Sequence, residues 1–188
     1  MASMNVSEIG IGAGKVTGAI WVAPEGTALP TDATTALASS YKLLGFTSDA
    51  GVTISESSSS QDLIAWEGRT KVYNIKTEYY EVVSFTPIQT NEDVAKLTWG
   101  DSNVTVSGSN IYSKHTAASL DPVVIVIETS PREGMVKRYC GTFQLVERGD
   151  ATLDGTQSDM RQLTFNSMPD SNGVHIHEYQ ATTVSSEG

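Results

Sequence analysis

The stretch VYNIKTEYYEVVSFTPI, residues 72–88, decides the fold class. Tyr73, Ile75, Tyr79, Val83 and Phe85 occupy its odd positions, and Asn74, Lys76, Glu78, Ser84 and Thr86 its even ones. A repeat of two sends successive side chains to opposite sides of an extended chain. The run therefore predicts a long strand with one core face and one polar face. The same alternation recurs in both directions. Upstream, TGAIWVAP (17–24) reads as a short strand ended by Pro24 and 25–40 as a loop of small residues; YKLLGFTSDAGVTISES (41–57) reads as two strands about a turn at Ser48–Gly51. Residues 57–71 form a polar excursion that carries Leu63, Ile64 and Trp66.

Downstream, DPVVIVIETS (121–130) is apolar at both parities, as a strand covered on both faces would be. GMVKRYCGTFQLVER (134–148) sets Met135, Tyr139, Phe143 and Leu145 against Arg138, Thr142 and Gln144. MRQLTFNSM (160–168) turns Leu163 and Phe165 inward and Gln162, Thr164 and Asn166 outward, and VHIHEY supplies a last strand. Nine or ten strands in one chain of 188 residues predict a mainly β single domain, a β-sandwich or open barrel. The predicted appendages are a flexible N-terminal arm (about 1–16) and a C-terminal segment (about 169–188).

One segment breaks the pattern. TNEDVAKLTWG, residues 90–100, has Thr90 and Asp93 at capping-box spacing, acids in the first turn and Gly100 as a stop, which predicts a helix over about 91–99. Isolated helices need about 12 to 15 residues to persist in water, so this one must pack against the sheet. Val94, Leu97 and Trp99 are its predicted contacts.

The net charge is −10, from 22 acidic and 12 basic residues, with no basic block. Proteins that grip nucleic acid cluster Lys and Arg, because neutralising phosphates drives that binding. A single cysteine, Cys140, excludes an intrachain disulfide. No signal peptide is visible, and the longest apolar run, Val123–Ile127, is far short of the about 20 residues needed to span a bilayer. The reading is a soluble protein made in a cytosol, with the sequons at Asn5 and Asn103 idle.

Three motifs suggest chemistry. IGIGAGK (9–15) imitates a phosphate loop, but Ile9 stands where the first Gly belongs and Val16 follows Lys15. DATLDGTQSDMR (150–161) has Asp150, Asp154 and Gly155 in the register of a calcium loop, yet Thr152 and Arg161 fill ligand positions, so a hairpin turn is expected. His175 and His177 share a strand face, and a metal there would need further ligands such as His115 or Glu178. No nucleophile elbow or HExxH is present, and no enzyme or cofactor is expected.

The order of segments VTGAIWVAPEGTALPTDATTAL, YKLLGFTSDAGVTIS, IAWEG, a long strand and TNEDVAKLTWGDSNVT resembles the major tail (tail tube) proteins of long non-contractile-tailed bacteriophages. The resemblance implies a β-sandwich flanked by one helix, self-assembly into hexameric rings that stack into a tube, and DNA leaving through the channel without specific binding. It further implies tape-measure, tail-tip and terminator proteins as partners, no membrane, and a place in the virion after assembly in the host cytoplasm. Within that frame residues 56–71 are expected to form the inter-ring loop, with Leu63, Ile64 and Trp66 as its contacts. Glu78, Ser84, Thr142, Gln144 and Thr164 are the candidate lumen-facing residues, and Lys76 and Arg138 fall on the same polar parities. The residues themselves leave open a monomeric β-rich decoration or adhesion module, and a small metal-dependent enzyme built on the histidines.

Overall fold

The computed structural model describes residues 12–132, 134–151, 153 and 161–182. The expected calcium-like turn falls largely outside them, as do residues 1–11 of the N-terminal arm and 183–188 of the C-terminal segment. Among the described residues there are ten strands and one α-helix. In chain order these are β1 (Ile20–Pro24), β2 (Lys42–Leu43), β3 (Thr47–Ile64), β4 (Lys71–Pro87), α1 (Glu92–Trp99), β5 (Val104–Ser107), β6 (Asn110–Ser113), β7 (Val123–Arg132), β8 (Met135–Arg148), β9 (Leu163–Met168) and β10 (His177–Thr182).

Eight strands make one antiparallel sheet in the order β2-β1-β7-β8-β9-β4-β3, with β10 paired to β8 beside β9; β5 and β6 form a separate hairpin. The far edge of β8 is shared: residues 135–140 pair with β10 and residues 142–148 with β9. The two ends of the strand order, β2 and β3, are joined directly by Leu44, Gly45 and Phe46. The sheet is thus curled into an open barrel whose gap is bridged by chain. Leu44 is buried in that bridge, and Ile88 N–H donates to the Phe46 carbonyl at 3.0 Å.

The two faces of the sheet are covered differently. The inner face carries Ile20, Val83, Phe85, Ile125, Ile127, Phe143, Leu163 and Phe165, and Val94 and Leu97 of α1 join the same cluster. The outer face of β1, β7 and β8 carries Ala23, Val124, Val126 and Cys140 against Tyr41, Leu29 and Leu37 of the segment 25–41. β7 is apolar at both parities because it lies between β1 and β8 with both faces covered.

The helix starts one residue later than the capping-box spacing predicts. Asn91, not Thr90, is the N-cap: its Oδ1 accepts from Val94 N–H at 2.8 Å. Its Nδ2 also donates to the Leu44 carbonyl at 2.9 Å, fastening the helix to the bridge between β2 and β3. Gly100, at φ 88°, ends the helix and donates to the Lys96 carbonyl. Trp99 stays half-buried, stacked on His115 with ring centroids 3.6 Å apart. Asn91→Ala should destabilise the subunit by about 1–2 kcal/mol in urea unfolding, since one side chain supplies both the cap and the anchor. Asn91→Asp keeps the cap acceptor and should lose less.

Two more expectations are corrected here. The predicted turn at Ser48–Gly51 is an irregularity inside β3, between the pairs Thr47–Pro87 and Val52–Phe85, with Gly51 at φ 71°. Residues 13–15, expected in a flexible lead-in, are tied to β7: Gly14 bridges Thr129, and Ser130 N–H donates to the Ala13 carbonyl.

Candidate assembly and channel surfaces

Beyond the body, β3 and β4 continue as a two-stranded arm. The last β4–β9 pair is Val82–Asn166, opposite Ser55, and β3 runs on from Glu56 to Ile64, roughly 30 Å at about 3.4 Å per residue. The arm closes in a turn in which Ala65 N–H donates to the Thr70 carbonyl, with Gly68 and Arg69 at φ 65° and 51°. The segment 56–71, expected as a loop, is therefore mostly ladder. Its serine run reads as polar linker in sequence, yet serine and threonine suit an exposed strand when a partner strand provides the hydrogen bonds.

Tyr73, Ile75 and Tyr79, expected in the core, are 65%, 45% and 38% exposed, while Val83 and Phe85 of the same strand are buried. The extra residue at Thr77 turns Tyr73 and Ile75 to the face of Ser59 and Glu78, while Tyr79 stays on the Val83 side; beyond Val82 no β9 pair covers either face. Leu63 pairs directly with Tyr73, and Ile75 lies diagonally from it, so these three make one exposed apolar patch. Ile64 is on the opposite face, and Trp66 stands at the tip, 93% exposed. The sequence reading missed Tyr73 and Ile75 as surface residues; a run of serines on the partner strand was the available signal.

The five candidate lumen residues come together on one sheet face. Ser84 pairs with Thr164, Asn166 pairs with both Val82 and Gln144, and Thr142 pairs with Met168. On β3 the same face continues through Thr53, Ser55, Ser57 and Ser59, the last opposite Glu78. A register shift after Leu145 brings Glu147 opposite Thr164, adding a second acid.

Both cations that threatened this face are elsewhere engaged. Ser59 pairs with Glu78 and Ser60 with Lys76, which leaves Thr77 as an extra residue, a β-bulge. Because Ser59 and Ser60 point to opposite sides, so do Glu78 and Lys76, although both are even-numbered. Lys76 instead lies 3.7 Å from Glu56 and 3.9 Å from the Tyr79 ring centroid on the other face.

Arg138 keeps the polar parity but is 2% exposed, beneath the segment 25–41. Its guanidinium donates to Glu128 from Nε (3.0 Å) and Nη2, to the Asp32 carbonyl (2.7 Å) and to the Thr35 carbonyl (2.9 Å). Glu128, also 2% exposed, accepts from Lys15 Nζ at 2.8 Å through its other oxygen. Asp32 closes a turn: hydrogen bonds from the Thr35 hydroxyl and from Thr35 and Thr34 N–H lower its carboxyl to about 2, so it stays ionised beside Arg138. Lys15, the lysine of the imitation phosphate loop, is thus a partner of a buried carboxylate.

The histidines are separated by their partners. His175 Nδ1 lies 2.8 Å from Ser167 Oγ, which accepts from Glu81 N–H, and its ring meets Tyr79 edge-on at 5.1 Å. His177 Nε2 lies 3.2 Å from Asp170, and His115 stacks on Trp99. Among the described residues no group of three or more His, Cys, Asp or Glu is placed to hold a metal ion. Burial pushes the Cys140 thiol up to about 11, a packing residue rather than a nucleophile. Among the described residues, no helix is long and apolar enough to cross a membrane.

A family model described as phage tail tube protein matches residues 2–179. A search of curated proteins finds no match.

Proposed function

The chain belongs to the phage tail tube protein family, and from that premise we infer that its copies close into hexameric rings which stack into the conduit for DNA ejection. It is a structural protein of the virion tail, and self-assembly into a tube follows from the family. In the proposed arrangement the polar face of β8, β9, β4 and β3 lines the channel. One observation carries this reading: across four adjacent strands that face offers mainly Ser, Thr, Asn and Gln, beside Tyr80, Val82 and Met168, with Glu78 and Glu147 as its acids. Arg138, its cation on β8, is sealed beneath the segment 25–41. DNA slides past such a wall because no ammonium or guanidinium group displaces its counterions.

Assembly also answers a problem of stability. The distal arm is an isolated two-stranded ribbon, which is marginal in water, and it holds Leu63, Tyr73, Ile75 and Trp66 exposed. The edge of β3 has no neighbour among the described strands, and joining edges between copies removes such an unpaired row. The tape-measure, tail-tip and terminator proteins complete the proposed set of partners.

Electron microscopy of the purified protein across a concentration series, with tail-tip components added, should give rings or hollow tubes with an open axial channel. Isolated particles under all these conditions would favour a monomeric decoration module. Thr164→Lys tests the channel wall: tubes should still form, and they should retain double-stranded DNA at low salt and release it at high salt. Tubes of the parent chain should not retain it. Equal retention by both would remove this face from the channel.

A further inference from the structure

On the reading that copies stack into a tube, we propose that the arm tip of one copy seats Trp66 in a groove between α1 and the ends of β1 and β7 on the next copy. The first argument is polarity. β4 runs from the arm tip to Pro87, and α1 follows it, so α1 lies at the end of the subunit away from the tip. The antiparallel pairs bring the same end of the body together: Leu163 with Phe85, Arg148 with Leu163, Phe143 with Val123, and Val123 with Pro24. Tip and groove thus sit at opposite ends of one strand direction. A head-to-tail contact between opposite ends translates each copy along the strand direction, and where its rotation does not close a ring its repetition builds a linear assembly.

The second argument is shape and chemistry. The groove encloses about 530 Å³ and has an apolar floor that includes Val22, Leu97, Leu120 and Leu145. Its rim carries Glu25, Asp93, Asp101 and Asp121 against Lys42 and Lys96, and Lys96 is already held by Glu92 at 2.6 Å. An acidic rim around an apolar floor suits an indole flanked by a cation. The tip presents Trp66 and Arg69 on a turn fixed by the positive φ of Gly68 and Arg69, with one acid, Glu67, between them. An aromatic side chain inserted into a desolvated pocket is the usual centre of a protein–protein contact, with charges at the margin choosing the partner.

A larger cavity, about 860 Å³, lies between residues 12–19 and the start of β3. It includes Thr129 and Lys137, at the ends of β7 and β8 remote from α1, and serves as the competing site.

The test uses the full chain with Glu67→Cys and Asp121→Cys together, polymerised and then oxidised with copper phenanthroline. A ladder of disulfide-linked multimers on a non-reducing gel is expected, and neither single variant should give one. Cys140 is buried and stays silent. Tubes that form but give no ladder, or give one only when Thr17→Cys replaces Asp121→Cys, overturn the groove and leave the tube reading intact. If the parent chain forms no tubes under any condition, the tube reading falls and takes the groove with it. Charge exchange is the second readout. Asp121→Arg should raise the concentration needed for polymerisation about tenfold, and Arg69→Glu in the same chain should restore much of it. Unchanged polymerisation by Asp121→Arg would overturn the pairing.

Discussion

Arg138→Leu should destabilise the folded subunit by about 3–5 kcal/mol, enough to leave much of it unfolded, because a domain of this kind holds only about 5–15 kcal/mol in total. The arginine and Glu128 stand opposite each other on neighbouring strands, both sealed from water, and the guanidinium also satisfies the carbonyls of Asp32 and Thr35. Removing it strands a buried carboxylate whose remaining partner is the half-exposed Lys15, and frees the segment 25–41 from the sheet. Arg138→Lys should also fail to rescue, since a point charge cannot reach Glu128 and two carbonyls with the geometry of a planar fork. Arg138→Leu combined with Glu128→Leu should recover part of the loss by removing the orphaned charge. Urea unfolding followed by tryptophan fluorescence measures all three. A loss below about 1 kcal/mol for Arg138→Leu would mean that the buried cluster is not what fastens the segment.

Trp66→Ala should leave the subunit folded and suppress tube formation about a hundredfold or more in required concentration. The side chain is 93% exposed at the end of an arm whose distal part pairs with no third strand among the described residues, so its truncation removes no packing from the body. A buried aromatic anchor at an interface is worth about 2–4 kcal/mol, and each subunit in a stacked assembly would lose one. Thermal melting should stay within a few degrees of the parent, while sedimentation and electron microscopy should report rings or monomers in place of tubes. Normal tubes from this variant would show that the arm binds by some other residue, with Leu63, Tyr73 and Ile75 the next to examine.

The sequence was most informative where a property depends only on neighbours along the chain. The alternation in 72–88, the two-sided apolar run at 123–127 and the acids and Gly100 around the helix are local patterns. They fix strand, central strand and helix whatever the rest of the chain does. The sharing of one parity by Ser84, Thr142, Gln144 and Thr164 was legible too, since antiparallel pairing carries parity from strand to strand.

Tertiary structure alone decided properties that belong to a pair of distant segments. Lys76 changed sides because the ladder with β3 has one residue too many at Thr77, and a bulge leaves no mark in the periodicity of a strand so rich in polar residues. Arg138 became a core residue because the loop 25–41 lies across it, a fact that its own strand does not encode. The same bulge took Tyr73 and Ile75 off the side of Val83 and Phe85, and they are exposed because β9 pairs no further than Val82. Alternation is written by steric rules within one strand and fixes direction only as far as the next bulge, which the register with the partner strand sets. Burial is written by whatever packs on that direction, here a loop a hundred residues away in one case and an absent strand in the other, and in the assembled tube by a second copy of the chain.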